Sequence, residues 1–247
     1  MAVRIAVVAV GTEAPGIASL LDKLSFVMDE LVVVDNGSSE RSRAVIESWL
    51  SDHANVRLLS FGDQRGPAAA HYLAFSDLRR RLEAAELSPQ DLVVTLDLLG
   101  QYNLDVLDDL HRCMVEEQLD ALLVRRDLSS APLPARLGNA LLSGWATLWA
   151  RPRELRLHDV ESTYRIFRLA AVADALDYYD GHRTSDAVDL AVTLSRLGYR
   201  VRNDVLVPVL LPRSVRRTAG RFTDVAAIPA TALSVTFRSR GWIRRPY

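Results

Sequence analysis

Cysteine and lysine are nearly missing from this sequence. Cys113 is the single cysteine, so no internal disulfide can form, and a reducing compartment is the expected home. Its helical neighbourhood reads as that of a buried structural thiol, not a nucleophile. Lys23 is the only lysine among 30 basic residues. A GC-rich coding bias accounts for that more simply than a demand for bidentate phosphate contacts. No charge of either sign dominates: the formal net charge of −1 gives no sign of the basic excess of a nucleic-acid binder. Long apolar runs are absent too. None reaches the ~20 residues needed to span a bilayer, and "IAVVAV" after Arg4 is too short for a secretory leader and reads as a strand. These absences point to a cytoplasmic protein.

Two nucleotide-binding motifs are also absent. After the first strand, "VGTEAPG" places Gly11 and Gly16 at the wrong spacing for GxGxxG. A P-loop needs Lys and then Ser or Thr straight after its second glycine, and Ile17-Ala18 supplies neither.

What is present is a strong alternation. At 247 residues, 49% of them apolar, the chain can bury a substantial core. Apolar, β-branched runs at Ile5–Val10, Leu31–Val34, Val56–Leu59, Leu92–Leu96 and Ala121–Val124 predict strands. Ile17–Leu24, Arg41–Leu50, Ala68–Ala85 and Val106–Glu117 between them show helical spacing. Strands separated by helices mean βαβ units, hence an α/β fold with a mostly parallel sheet covered on both faces. Beyond Asp127, "LSSAPLPAR" reads as a loop, "LGNALLSGWATLWA" as a helix, "RPRELRLHDVESTYR" as a charged segment, Thr184–Leu197 as a helix and "VRNDVLVPVLL" as a late strand. This second half is expected to pack on the same sheet.

Ligands of open parallel sheets bind beyond the carboxyl ends of the strands. Here those ends lead into "GTEAPG", "DNGSS", "FGDQRGPAAA" and "DLLGQ", which bring Glu13, Asp35, Asn36, Asp63, Gln64, Arg65 and Asp97 to one rim. Asp35, at the end of a buried strand, is suited to accept hydrogen bonds from a base or a ribose. Asn36-Gly37 permits a sharp turn, and Ser38 or Ser39 caps the next helix.

Five segments in order carry a family resemblance. They are "AVGTE", "VVVDNGS", "GPAAAHYLA", "VVTLDLLGQYNLD" and "DVESTYRIFR", and Asp189 stands on the helix before "LGYRV". Over about Arg4 to Arg221 the chain resembles a family 2 glycosyltransferase of the GT-A fold, most closely the dolichol- or polyprenyl-phosphate sugar synthase branch. The departures are His71 for a usual Arg, Leu99 for the second acid of the metal motif, and Thr163 for a common Gly.

The resemblance implies transfer of a sugar, with inversion, from a nucleotide-diphosphate sugar to a phosphate or hydroxyl acceptor, either a polyprenyl phosphate or a small molecule. It makes Glu13, Asp35, Asn36 and Arg65 nucleotide contacts, and Arg125, Arg126 and Arg136 phosphate contacts. It makes Asp97 and Gln101 ligands of Mg²⁺ or Mn²⁺, and assigns catalytic roles to Asp97, Asp159 and Asp189. A hydroxyl acceptor needs a general base, Asp159 or Asp189; an ionised phosphate does not. Leu99 offers a hard cation no oxygen, which leaves three outcomes open. The cation binds weakly through Asp97, Gln101, the diphosphate and water; or arginines replace it; or catalysis is lost and the chain is a nucleotide-binding or scaffold subunit.

The expected division is a GT-A domain over 1–221 and an amphipathic tail over 222–247. In the tail, Val225–Phe237 is apolar apart from Pro229 and is followed by "RSRGWIRRPY". That pattern suits a peripheral contact at the inner membrane face or a homo-oligomer contact.

Overall fold

The apolar runs become strands buried on both faces. In the computed structural model, which describes residues 2–11, 17–96, 103–152, 154–179, 181, 186–208 and 233, β1 (Arg4–Val10), β2 (Glu30–Asn36), β3 (Val56–Phe61) and β4 (Leu92–Leu96) lie parallel. Successive side chains of a strand point to opposite faces. Ile5 and Val7 of β1 therefore enter one core while Ala6, Val8 and Val10 enter another. Val32 and Val34 divide from Leu31 and Val33 in the same way along β2.

Helices close both faces. α1 (Ile17–Val27), α2 (Glu40–Ser51) and α4 (Leu107–Glu116) cover the second core through Leu21, Leu24, Ile46, Leu110 and Met114. α3 (Pro67–Glu83), α5 (Leu133–Trp149), α6 (Leu169–Ala175) and α7 (Asp186–Leu197) cover the first, through Phe75, Leu142, Val172 and Ala191 among others.

The seven-stranded sheet runs β3-β2-β1-β4-β7-β5-β8, with β5 (Ala121–Leu123), β7 (Arg165–Arg168) and β8 (Val201–Arg202) completing it. β7 is antiparallel to both β4 and β5, and the other pairings are parallel. A small second sheet pairs β6 (Arg125–Arg126) with β9 (Leu206–Val207). The architecture is the expected α/β fold around a mostly parallel central sheet.

Three details differ from the expectation. The charged segment ending in "STYR" leads into β7, in which Ile166 and Phe167 face opposite cores; the flanking arginines hid a buried strand. The late strand is two short ones, β8 and β9, in different sheets, because Asn203 between them turns its amide into the interior. Cys113 is half-buried, not buried; burial and neighbouring Glu117 push its thiol up, away from a nucleophile's range. Glu13, Asp97, Gln101 and, apart from Leu233, the tail 222–247 lie outside the described residues.

His111 of α4 yields a pH prediction. It is buried, and neither ring nitrogen has a hydrogen-bond partner among the described residues. Burial first, and then the charge of Arg4, lower its pKa from 6.5 to about 4, against smaller opposing effects of Asp108 and Asp29. The folded value lies below the unfolded one, so the neutral imidazole stabilises the fold fully above pH 6.5, and that stability drains as pH falls towards 4. The loss amounts to about 3 kcal/mol. His111→Leu should therefore gain stability over the wild type near pH 4 relative to neutral pH, as read by urea denaturation. An equal difference at both pH values would contradict this.

Candidate active site

The turn after β2 is built around a buried carboxylate. Register aligns Val10, Asp35 and Ser60 across three strands, so Asp35 sits at the carboxyl rim. Its Oδ1 accepts the Ser38 backbone N–H at 2.8 Å. Its Oδ2 accepts Arg43 Nε at 2.9 Å and Nη2 at 2.6 Å, and Arg43 also donates to Ser60 Oγ at 3.1 Å. Burial raises the carboxyl's pKa, but the bonds from Ser38 and Arg43 outweigh it, so Asp35 stays ionised below the usual carboxylate range. Ser39, not Ser38, caps α2, accepting the Ser42 N–H.

Asn36 fastens this turn to the next one. Its Oδ1 accepts the Arg65 N–H at 2.9 Å. Gly37 lies between them at φ 67°, where a Cβ would stand 2.6 Å from the Gln64 backbone nitrogen. Glycine alone permits that conformation and that approach. Arg65 extends over the Phe61 ring, 4.9 Å from its centroid, and its Nε donates to Asp63 at 2.9 Å. Asp35, Asn36 and Arg65, three of the four expected nucleotide contacts, thus share one corner, and Glu13 lies outside the described residues.

β4 ends at Leu96, and the metal motif beyond it, with Asp97 and Gln101, lies outside the described residues. Among the described residues no three His, Cys, Asp or Glu side chains gather to hold a metal ion. Beside this end, Thr95 Oγ1 donates to the Thr163 carbonyl at 2.8 Å, tying the segment before β7 to β4. The non-glycine residues with positive φ among those described are Ala85 and Gln118, so Thr163 sits in ordinary backbone.

The phosphate-binding expectation falls on a cleft of about 430 Å³ at the other end of the rim. Arg125, Arg126, Arg136, His158 and Asp159 line it, with Leu133, Leu137 and Leu206 as apolar walls. Asp159 is 1% exposed: Oδ2 accepts the Arg126 N–H at 2.9 Å and Nε at 2.8 Å, and Oδ1 accepts Nη2 at 2.8 Å. This bidentate pair fixes the Arg126 guanidinium. Arg125 and Arg136 are exposed, and Asp127 turns back onto the Ser129 N–H. Three arginines against the two carboxylates Asp127 and Asp159 leave the cleft lining with a net positive charge. Asp189 is buried in α7 and does not line the cleft.

Two positioning residues escaped the sequence reading. Buried Asn203 accepts the N–H groups of His158 at 2.6 Å and Asp159 at 2.9 Å, and donates to the Leu123 carbonyl at 2.7 Å. Its signal is a polar amide inside an apolar strand pattern. Arg43, eight residues beyond Asp35, carries no sequence signal. Asp159 is buried and accepts three hydrogen bonds from Arg126, so Asp159→Ala, which breaks this buried pair, should cost about 3–5 kcal/mol. Asn203→Leu removes the side-chain partner of three backbone groups, two of them in buried bonds, and should cost about 2–3 kcal/mol. Urea denaturation checks both; losses under about 1 kcal/mol would contradict the clamp.

No protein-family model matches the sequence, and no curated protein matches it. Solved structures do match. A mannosyltransferase from Pyrobaculum calidifontis in complex with GDP-Man and Mn²⁺ is 18% identical, covering 98% of this chain and 76% of that one at a TM-score of 0.57. Glucosyl-3-phosphoglycerate synthase from Mycobacterium tuberculosis, in complex with Mn²⁺, UDP and glucosyl-3-phosphoglycerate, is 16% identical over 98% and 81% of the two chains, with a TM-score of 0.56. Mannosyl-3-phosphoglycerate synthase from Rubrobacter xylanophilus is 13% identical over 99% and 77%, with a TM-score of 0.54. At these identities the likeness is one of fold. The seven-stranded sheet with helices on both faces is the GT-A fold of glycosyltransferases, and this chain has it.

Proposed function

We propose that the protein transfers a sugar, with inversion, from a nucleotide-diphosphate donor to an acceptor carrying phosphate. The observation that carries this reading is the division of one rim. The Asp35–Asn36–Arg65 corner and the arginine-lined cleft stand at the ends of β2 and β5, with β1, β4 and β7 between them. Four strand spacings separate those ends, roughly 19 Å, and β4, which precedes Asp97, lies midway. A nucleoside at one end, a diphosphate in the middle and an anionic acceptor at the other fit that span. The structural neighbours are recorded with GDP-Man or UDP, Mn²⁺ and phosphoglyceric acid. We carry those ligand classes over as part of the proposal.

Each residue then has a task. Glu13, Asn36 and the turn shaped by Asp35 receive the base and ribose, and Arg65 offers its guanidinium beside them. Asp35 has most of its acceptor capacity taken by Ser38 and Arg43, so its main role is to hold the turn. Asp97 and Gln101 would hold Mg²⁺ or Mn²⁺, which neutralises charge on the departing diphosphate. Arg125 and Arg136 attract the acceptor's phosphate, and Arg126, oriented by Asp159, adds its charge beside them. Asp159 acts here as an orienter: with three hydrogen bonds from Arg126 it is poorly placed to take a proton. An ionised phosphate acceptor needs no base. For a hydroxyl acceptor in this cleft Asp189 is no better placed, because it is buried in α7 and does not line the cleft.

Leu99 is the residue that speaks for binding without transfer, and two experiments test the nucleotide and cation site that both readings share. In a thermal-shift panel, one nucleoside diphosphate should stabilise the protein, and more so with Mn²⁺; near saturation the gain is about 2–3 kcal/mol. No response to any nucleotide would refute both readings. Leu99→Asp should strengthen the Mn²⁺-dependent part of nucleotide binding by about tenfold, since it adds a carboxylate ligand to a hard cation. Unchanged affinity would remove Asp97 and Gln101 as ligands.

A further inference from the structure

α5 is apolar on two sides. One side buries Leu142 and Ala146, with Asn139 and Ser143, against the body of the protein next to α7. On the other, Leu133, Leu137, Leu141, Trp145 and Leu148 are 62%, 54%, 75%, 36% and 67% exposed. At 3.6 residues per turn these five fall within an arc of about 120°. Leu206 of β9, 53% exposed, lines the cleft together with Leu133 and Leu137 and so widens the face at its amino-terminal end. A continuous leucine stripe of this kind is not ordinary surface scatter.

The charge around the stripe identifies what covers it. From Leu128 to Pro152 the chain contains no carboxylate, although the whole sequence has 31 acidic residues. The nearest acids along the chain, Asp127 and Glu154, lie beyond both ends. The charged groups at the helix are the exposed Arg136 in its first turns and Arg151 just past its end, with exposed Arg125 and Arg156 farther out. A two-fold contact would lay this face on its own image. Arg136 of one copy would then approach Arg151 of the other, and the helix itself carries no acid to relieve the repulsion. An anionic lipid surface meets the same face without conflict. Its acyl boundary takes the leucines, its headgroup level takes Trp145, and its phosphates take the arginines.

We infer that α5 docks the protein on an anionic lipid surface through Leu133, Leu137, Leu141, Trp145 and Leu148, with Arg136 and Arg151 at the phosphates. The contact is peripheral: no helix among the described residues is long and apolar enough to cross a membrane. Because Leu133 and Leu137 belong both to the stripe and to the wall of the cleft, docking places the cleft mouth at the lipid surface. The inference stands on exposure and charge, and it does not depend on which reaction the cleft serves.

Flotation of the full chain with vesicles tests it. The protein should float with phosphatidylcholine–phosphatidylglycerol vesicles, less with phosphatidylcholine alone, and less as salt is raised. Leu141→Ser combined with Leu148→Ser changes two well-exposed side chains, so the melting temperature should hold while vesicle binding drops about tenfold or more. Three results would overturn the inference. One is wild-type protein that stays unbound. Another is a variant that floats as the wild type does, which would assign binding to another segment such as the tail. The third is a salt-insensitive dimer in light scattering that the same variant splits while vesicles bind neither form, which would assign the face to a second copy.

Discussion

The buried amide of Asn203 holds together the chain segments from which the cleft is made. Its oxygen accepts two consecutive N–H groups, at His158 and Asp159, while its nitrogen donates to the carbonyl that ends β5. A buried amide must satisfy both ends, so the strand carrying it cannot pass straight through. β8 stops, Asn203 turns inward, and β9 resumes in register with β6. β6 is the segment that brings Arg125 and Arg126 to the cleft. Asp159, held by the same amide, then locks Arg126 with a bidentate pair. One side chain thus links strand order, the course of the backbone and the direction of a guanidinium.

Parallel strands covered on both faces leave polar groups few places to emerge. β1, β2 and β4 present almost nothing but Val, Leu, Ile and Ala to the two cores, so the chemistry collects where the strands end. The two ends of that rim are built on different principles. At β2, a glycine at positive φ and an asparagine side chain lock two loops together, and an ionised Asp35 is neutralised by Arg43. At β5 and β6, arginines outnumber the acids, and the main acid is committed to one of them. The first corner is a pair of turns locked by side-chain and backbone contacts, and the second a cleft lined by three arginines.

α5 joins this rim to the outside. A helix that buries only one side usually turns a polar face to water. Here the outward side is leucine, and the same leucines form a wall of the cleft. The proximity of an arginine-lined cleft to an apolar helix face follows from the start of α5 lying beside β6 and β9. It does not require any residue beyond those that make the helix.

Much of the fold was legible in order along the chain. Uninterrupted β-branched runs alternating with helical spacing specified βαβ units, and the "DNGSS" turn specified where Asp35 and Asn36 would stand. These readings succeeded because they rest on local periodicity and local turn chemistry, which act within a few residues. β7 was missed because its arginines mask a short strand whose partners, β4 and β5, lie far away in sequence. The pairing of Asp159 with Arg126, the clamp of Asn203 and the neutralisation of Asp35 by Arg43 were illegible for a related reason. Hydrogen-bond partners of a buried polar group are chosen by which backbones pack against it, and no spacing rule encodes that. The sequence by itself determined the parallel strands of the first half, the helices between them and the rim on which charge would gather. Only the tertiary structure decided which arginine each acid would hold, and which side of α5 would be left bare, because burial is a property of the packed whole.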